Sequence, residues 1–162
     1  MTFDEAFLLL IDREKGLSLD KQDSGNWTGG KVGKGVLKGS KYGISAASYP
    51  SLDIRNLTLD QAKEIYRKDY WVDIELPGEI VYDFFDTSVN SGKSRAIKIL
   101  QKAVGVEADG VIGPSTIEAI NKTMNLSKKF NAHRLLFMTD CAIWSSQGKG
   151  WARRIAHNLL LG

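Results

Sequence analysis

One cysteine, Cys141, stands among the 162 residues. It cannot close an internal disulfide, and it cannot supply the paired thiolates of a structural zinc site. The chain must therefore fold by packing alone, with Cys141 expected as a small buried hydrophobe. No run of about 18 apolar residues occurs, which excludes a membrane-spanning helix. The opening stretch, Met1 to Ile11, carries Asp4 and Glu5 where a secretory leader needs positive charge, so export by the general pathway is not expected. The two histidines, His133 and His157, are far apart in sequence and suit helix surfaces better than a catalytic base. No serine sits on a nucleophile elbow, so acyl transfer lacks its parts. There is no internal repeat and no low-complexity linker.

What is present is the composition of an ordinary globular protein, 43% hydrophobic and 25% charged, at a length that suits one compact unit or a domain with a small subdomain. Net charge is +3, but it is uneven along the chain. Residues 1–88 hold 11 basic and 15 acidic side chains, and residues 89–162 hold 11 and 4. The basic second half suits an anionic polymer such as cell wall, nucleic acid or a membrane surface, or is merely a solvated face.

Helical signals dominate. Thr2 with Glu5 forms a capping box, and Phe3, Phe7, Leu10 and Ile11 recur at helical spacing, which predicts a helix over 2–15 stopped by Gly16. Residues 17–57 hold seven of the sixteen glycines and no helical period, which predicts turns and a short hairpin; a loop of that length in a compact domain is usually functional. A second capping box, Thr58 to Gln61, opens a helix to about Tyr70 with Leu59, Ala62, Ile65 and Tyr66 inward. Pro77 starts a strongly apolar helix containing Ile80, Val81, Phe84, Phe85 and Val89, expected to be the central buried one. Further helices are predicted over 93–104, from Pro114 to about Lys122, from Ser127 to about Ser146, and from Trp151 to Leu161. Trp144 and Trp151 are read as core anchors flanking a turn at Gly148–Gly150. The best boundary is Asn90 to Lys93, giving regions 1–90 and 91–162. The fold class is mainly α.

Glu14 stands out. It follows Phe7 by seven, Leu10 by four and Ile11 by three, so helical spacing puts this carboxylate on the apolar face, in the last turn of the predicted helix. Desolvation and the negative helix end would both raise its pKa, as a general acid for glycoside hydrolysis requires. The alternative is that the side chain escapes to solvent at a frayed end. Asp23, nine residues on among Gln22, Ser24 and Asn26, has polar surroundings that keep a carboxylate ionised. Gly25, Gly30 and Lys31 have the spacing of a phosphate-binding loop, but Val32 stands where Ser or Thr must hold Mg²⁺ and no strand precedes it, so nucleotide binding is not expected. Trp27, Tyr42 and Tyr49 are large flat side chains for so glycine-rich a loop, and they either stack on sugars or anchor the loop. Asp86 and Asn90, four apart on the central helix with Tyr82, need polar partners: a substrate groove, or a side-chain network.

These segments carry a family resemblance. The helix ending in Glu14, the run DSGNWTGGKVGKGVLKGSKYGIS (Asp23 to Ser45), Tyr49–Pro50 and LDIRNLT (Leu52 to Thr58) resemble the glycoside hydrolase family 108 muramidases. FDTSVNSG (Phe85 to Gly92), LQKAVG (Leu100 to Gly105) and DGVIGPSTIEAI (Asp109 to Ile120) resemble the peptidoglycan-binding region that accompanies that domain. The resemblance covers nearly the whole chain with its segments in order. It implies a lysozyme-like helical fold, a catalytic region over 1–90, a peptidoglycan-binding region over 91–162, and hydrolysis of the β-1,4 bond between N-acetylmuramic acid and N-acetylglucosamine. The family's catalytic Glu falls on Glu14; its EGG motif here reads EKG, and the Lys15 ammonium would lower that pKa.

The family's Asp falls on Asp23 and the Thr of its TKYGIS motif on Ser40, with Thr28 competing for the role of orienting a water. Tyr42 and Asn90 would line the sugar cleft, joined by Trp27 and Asp86 as the further substrate-binding candidates. Peptidoglycan strands are the implied partner of a monomer, with no metal, cofactor, nucleotide or nucleic acid. The family includes phage endolysins and bacterial proteins labelled secretion activators, so a protein made in the bacterial cytoplasm would reach the periplasmic wall by a holin-type or dedicated route. A protein that binds peptidoglycan or a secretion partner without catalysis is the alternative, and Lys15 is the feature that favours it.

Overall fold

A computed structural model describes residues 1–12 and 16–161 of the chain. Among them are seven α-helices, three two-residue strands and one 3-10 turn, in two compact units: Thr2–Lys68, and Asp69–Gly162 together with Met1. The chain is mostly helical, with a small sheet between the first two helices. The division between Lys68 and Asp69 falls before the central helix, whereas the charge balance changes after it.

In the first unit, α1 (Phe3–Ile11) starts at Thr2, whose hydroxyl accepts from the Glu5 amide while Glu5 accepts from the Thr2 amide. Two of the helix's orphan donors are thereby satisfied. Phe3, Ala6, Phe7 and Leu10 form its buried face. The predicted continuation through Lys15 lies outside the described residues. Helix α2 (Leu59–Asp69) opens on the Thr58–Gln61 capping box and buries Ala62 and Tyr66. The Tyr66 ring meets Phe7 edge-on, with centroids 5.6 Å apart. Leu59, expected inward, is 40% exposed because it occupies the first position of the helix.

Between these helices, β1 (Leu17–Ser18), β2 (Ser40–Lys41) and β3 (Ile44–Ser45) form an antiparallel sheet in the order β1-β2-β3. Tyr42 and Gly43 make the two-residue turn from β2 to β3, and both have positive φ, 52° and 73°. That is the mirror-image turn whose twist matches the flanking strands.

In the second unit, α3 (Gly78–Ser91) is buried from Ile80 through Ser88, as expected of a central helix. Gly92, at φ 90°, separates it from α4 (Lys93–Val104), which ends on left-handed Gly105. Helix α5 (Pro114–Lys122) starts on its proline. Ile80 and Phe84 of α3 pack with Ala96, Ile99, Leu100 and Ala103 of α4, Ile120 of α5, and Leu126 and Phe130 of α6. The predicted helix from Ser127 to Ser146 is corrected. Helix α6 (Leu126–Thr139) is preceded by left-handed Asn125, and Ser127 turns inward to donate to Asp83 Oδ2 at 2.6 Å.

Helix α7 then runs from Trp144 to Leu161, straight through the predicted turn at Gly148–Gly150. Gly148 is there for space: a Cβ on it would come within 2.7 Å of the Trp144 ring. Trp144 and Trp151 pack on each other, centroids 6.3 Å apart, and both are half-buried. Cys141, expected buried, is half-buried between α6 and α7 with its thiol directed to the Phe137 carbonyl.

Candidate active site

Arg13, Glu14 and Lys15 lie outside the described residues, so the site is built from its other members. Asp23 caps the 3-10 turn Ser24–Asn26: its Oδ1 accepts from the Gly25 amide at 2.8 Å, which fixes the carboxylate on an exposed loop. The turn is tied to the sheet. Gly25 O accepts from Ala47 N at 2.9 Å, and the Gly25 Cα lies so close to β3 that a Cβ would stand 3.8 Å from Ser45 Cβ. Ser45 is the register partner of Ser40, which also pairs with Ser18. Cross-strand partners share a face, so Ser18, Ser40 and Ser45 form a row of hydroxyl residues on the sheet beside the Asp23 turn. Asp23 and Ser40 are thus brought to one patch.

Thr28 belongs to a separate feature, a hairpin closed by the Trp27–Leu37 bridge. Its Oγ1 accepts from Val36 N at 2.9 Å, and its amide donates to Val36 O. Trp27 is half-buried and donates its indole N–H to Lys21 O at 3.0 Å, so the sole donor of that ring anchors the loop. Tyr42 occupies the left-handed region, uncommon for an aromatic residue. The buried Tyr66 hydroxyl donates to Tyr42 O at 3.0 Å, and Lys41 Nζ lies 5.3 Å from the centre of the Tyr42 ring. Strain of this kind persists where surrounding structure holds it, and functional loops are a common place for it.

The family model of glycosyl hydrolase 108 matches residues 7–92, more than half the chain and the stretch that holds Glu14, Asp23 and the sheet. The chain belongs to the glycosyl hydrolase 108 family. A second family model, described as a predicted peptidoglycan domain, matches residues 95–156 of this family-108 protein. Among solved structures, SagA from Brucella abortus is 28% identical over 96% of this chain and 90% of that one, with a TM-score of 0.78. No curated protein matches. The helical architecture is accordingly lysozyme-like, and peptidoglycan is the partner that the second matched region points to.

The remaining candidates of the family-108 chain lie on α3, in the second unit. Asn90 is exposed, and its Oδ1 accepts from the Ser91 hydroxyl at 3.1 Å. Asp86 is not in a groove. It is fully buried, with Oδ2 accepting from Arg134 Nη2 at 2.7 Å and from Asn158 Nδ2 at 3.0 Å, and Oδ1 accepting from Arg154 Nε at 2.7 Å. A buried carboxylate needs such partners, and the network alternative is the correct one. Burial pushes the Asp86 carboxyl up, but the two guanidinium charges together outweigh it and hold the group below the ordinary carboxylate range. One turn earlier, burial wins for Asp83: its pKa is raised despite hydrogen bonds from Ser127 and Asn131.

Two buried polar residues were missed by sequence reasoning, and the first of them positions the site. Asn26 is fully buried: its Nδ2 donates to Ser18 Oγ at 3.3 Å and to Asp20 O at 3.0 Å, and its backbone carbonyl accepts from the Lys38 and Gly39 amides. It holds the Asp23 turn to β1 from one side and to the strand leading into Ser40 from the other. The only signal was an Asn in a glycine-rich loop, which reads as solvated. Among the described residues Arg134 is the largest fully buried side chain, and its partner Asp86 lies 48 positions away, beyond any local pattern.

Proposed function

We propose that this family-108 protein is an N-acetylmuramidase: Glu14 protonates the glycosidic oxygen between N-acetylmuramic acid and N-acetylglucosamine, and Asp23 stabilises positive charge at the anomeric carbon or activates a water. The observation that carries the proposal is the family match over 7–92, which contains both carboxylates in the family's order. The geometry of Asp23 supports its part. Glycoside hydrolysis passes through an oxocarbenium-like state, and a carboxyl group held in place by a backbone amide is positioned to act on it. Ser40, in the hydroxyl row beside the Asp23 turn, suits the water-orienting role better than Thr28, whose oxygen already accepts the Val36 amide. Tyr42 and Trp27 would contact sugars.

The reading places the work of the protein at the bacterial wall, reached by a holin-type or dedicated route. Digestion of purified peptidoglycan followed by borohydride reduction tests the bond assignment. New ends carrying N-acetylmuramitol are expected; N-acetylglucosaminitol in their place would identify the opposite bond and reject the muramidase assignment. Binding to the wall with no new ends would favour the non-catalytic alternative.

A further inference from the structure

Helix α4 carries Arg95, Lys98 and Lys102 at intervals of three and four, a spacing that puts them along one side of the helix next to its buried row. Helix α6 answers with His133 and, three and four residues on, Leu136 and Phe137. Between the two runs a groove of 610 Å³, within the roughly 300–1,000 Å³ of ligand sites. Its lining is not simply polar. The Arg95 guanidinium lies 4.8 Å from the centre of the Phe137 ring, an arrangement that orients its planar donors and leaves their edges available.

Lys98 is also restrained, because Gly110, at φ 85°, brings the 109–113 turn so near that a Cβ would stand 3.1 Å from Lys98 Cε. Against these three cations the lining offers one carboxylate, Asp140. The Asp109 carboxyl of the adjoining turn is already committed to Gln101 Nε2 and the Val111 amide. A second recess shares Arg95 and Phe137 and continues to Asn90 and Trp151.

We propose that this groove binds the acidic peptide stem of peptidoglycan through its carboxylates, with Arg95, Lys98 and Lys102 as the recognising charges and the recess at Asn90 and Trp151 receiving the attached sugar. The choice of occupant rests on charge and on the match of 95–156 to a peptidoglycan domain. A glycan backbone of hydroxyls and amides gives three cations nothing to pair with, whereas the stems carry the carboxylates. The inference rests on peptidoglycan as the partner and is independent of Glu14 and Asp23.

Calorimetric titration of the full chain tests it, using three probes: a reduced disaccharide bearing its peptide stem, the same disaccharide without the stem and with its lactyl carboxyl capped as the amide, and the stem-bearing probe with its carboxylates amidated. The wild type should prefer the first probe by about tenfold or more over the other two, as expected when charge-assisted hydrogen bonds are lost. K98Q/K102Q should lose that preference while retaining its melting temperature, since both lysines are exposed, and K98E should weaken the first probe further. Equal affinity for all three probes, or a double variant that keeps the preference, would overturn the proposal. So would equal competition by a single-stranded oligonucleotide of the same charge, which would mean unspecific polyanion binding. Sugar release assayed on the same samples separates the two readings: a preference without release rejects only the muramidase, and release without a preference rejects only the stem site.

Discussion

Asp83 and Asp86 lie one turn apart on α3 and are treated oppositely by their surroundings. Asp86 has two guanidiniums and an amide on its oxygens; Asp83 has a hydroxyl and an amide, which a neutral side chain can also satisfy. Asp86→Asn leaves Arg134 buried with an uncompensated charge and should cost about 3–5 kcal/mol in urea unfolding. Asp83→Asn keeps an acceptor for Ser127 or Asn131 and should cost far less; an equal loss in both variants would contradict the difference in charge pairing. The pH dependence follows. The pKa of Asp86 is lower folded than unfolded, so its pairing stabilises fully above the unfolded carboxylate value of about 3.9 and is lost as pH falls through the lower folded value.

The gap in melting temperature between wild type and Asp86→Asn should therefore hold steady from pH 7 to about pH 5 and close below about pH 4. Asp83, with its folded pKa raised, works in reverse: it detracts from stability as pH rises from the unfolded value through the folded one. At the proposed site, Asp23→Asn retains an oxygen to accept the Gly25 amide but no charge. Rate should fall by roughly 10²-fold or more while melting temperature and wall binding stay near wild type. A wild-type rate would leave Asp23 as a turn residue alone.

At the scale of elements, α7 offers the clearest test. Gly148 is buried under the Trp144 ring, so Gly148→Ala must displace the indole or bend the helix and should destabilise by about 1–3 kcal/mol, although alanine is the better helix former. Gly150 has open space around a Cβ, and Gly150→Ala should be neutral or stabilising. Thermal denaturation of the two variants side by side decides it. The same helix shows where sequence reasoning stops. Elements bounded by local chemistry were legible: the boxes at Thr2 and Thr58, the stop at Gly105 and the start at Pro114 all depend on residues within a few positions of one another.

The break between Thr139 and Trp144 has no glycine or proline to announce it, and of the two glycines that promised a turn further on, Gly148 makes room for the Trp144 ring of the same helix while Gly150 lies in open space. At the site, a short hairpin somewhere within 17–57 was legible as glycine-rich turn chemistry, but its place at Tyr42–Gly43 was not. The sheet register that sets Ser40 beside the Asp23 turn was not, because it depends on Asn26 and on pairings made more than twenty residues apart.

For the whole molecule, the charge asymmetry read along the chain dissolves when the residues are grouped by compact unit. Thr2–Lys68 holds 11 basic and 9 acidic side chains, and Asp69–Gly162 holds 11 and 10. The acidic helix α3 belongs with the basic helices that follow it, and Asp86 joins α3 to α6 and α7 through Arg134 and Arg154. Affinity for an anionic wall is therefore better sought in a local feature, the α4–α6 groove, than in net charge. Catalysis is a separate question, and the proposed mechanism turns on Glu14. The most direct measurement is mass spectrometry of the soluble products released from purified peptidoglycan by the wild type and by Glu14→Gln, with pelleting on the wall recorded for both. Muropeptides with reducing N-acetylmuramic acid ends from the wild type, reduced roughly 10²–10⁴-fold or more in the variant while both still pellet, is the expected result. Equal release by both proteins would contradict the assignment of Glu14 as the general acid.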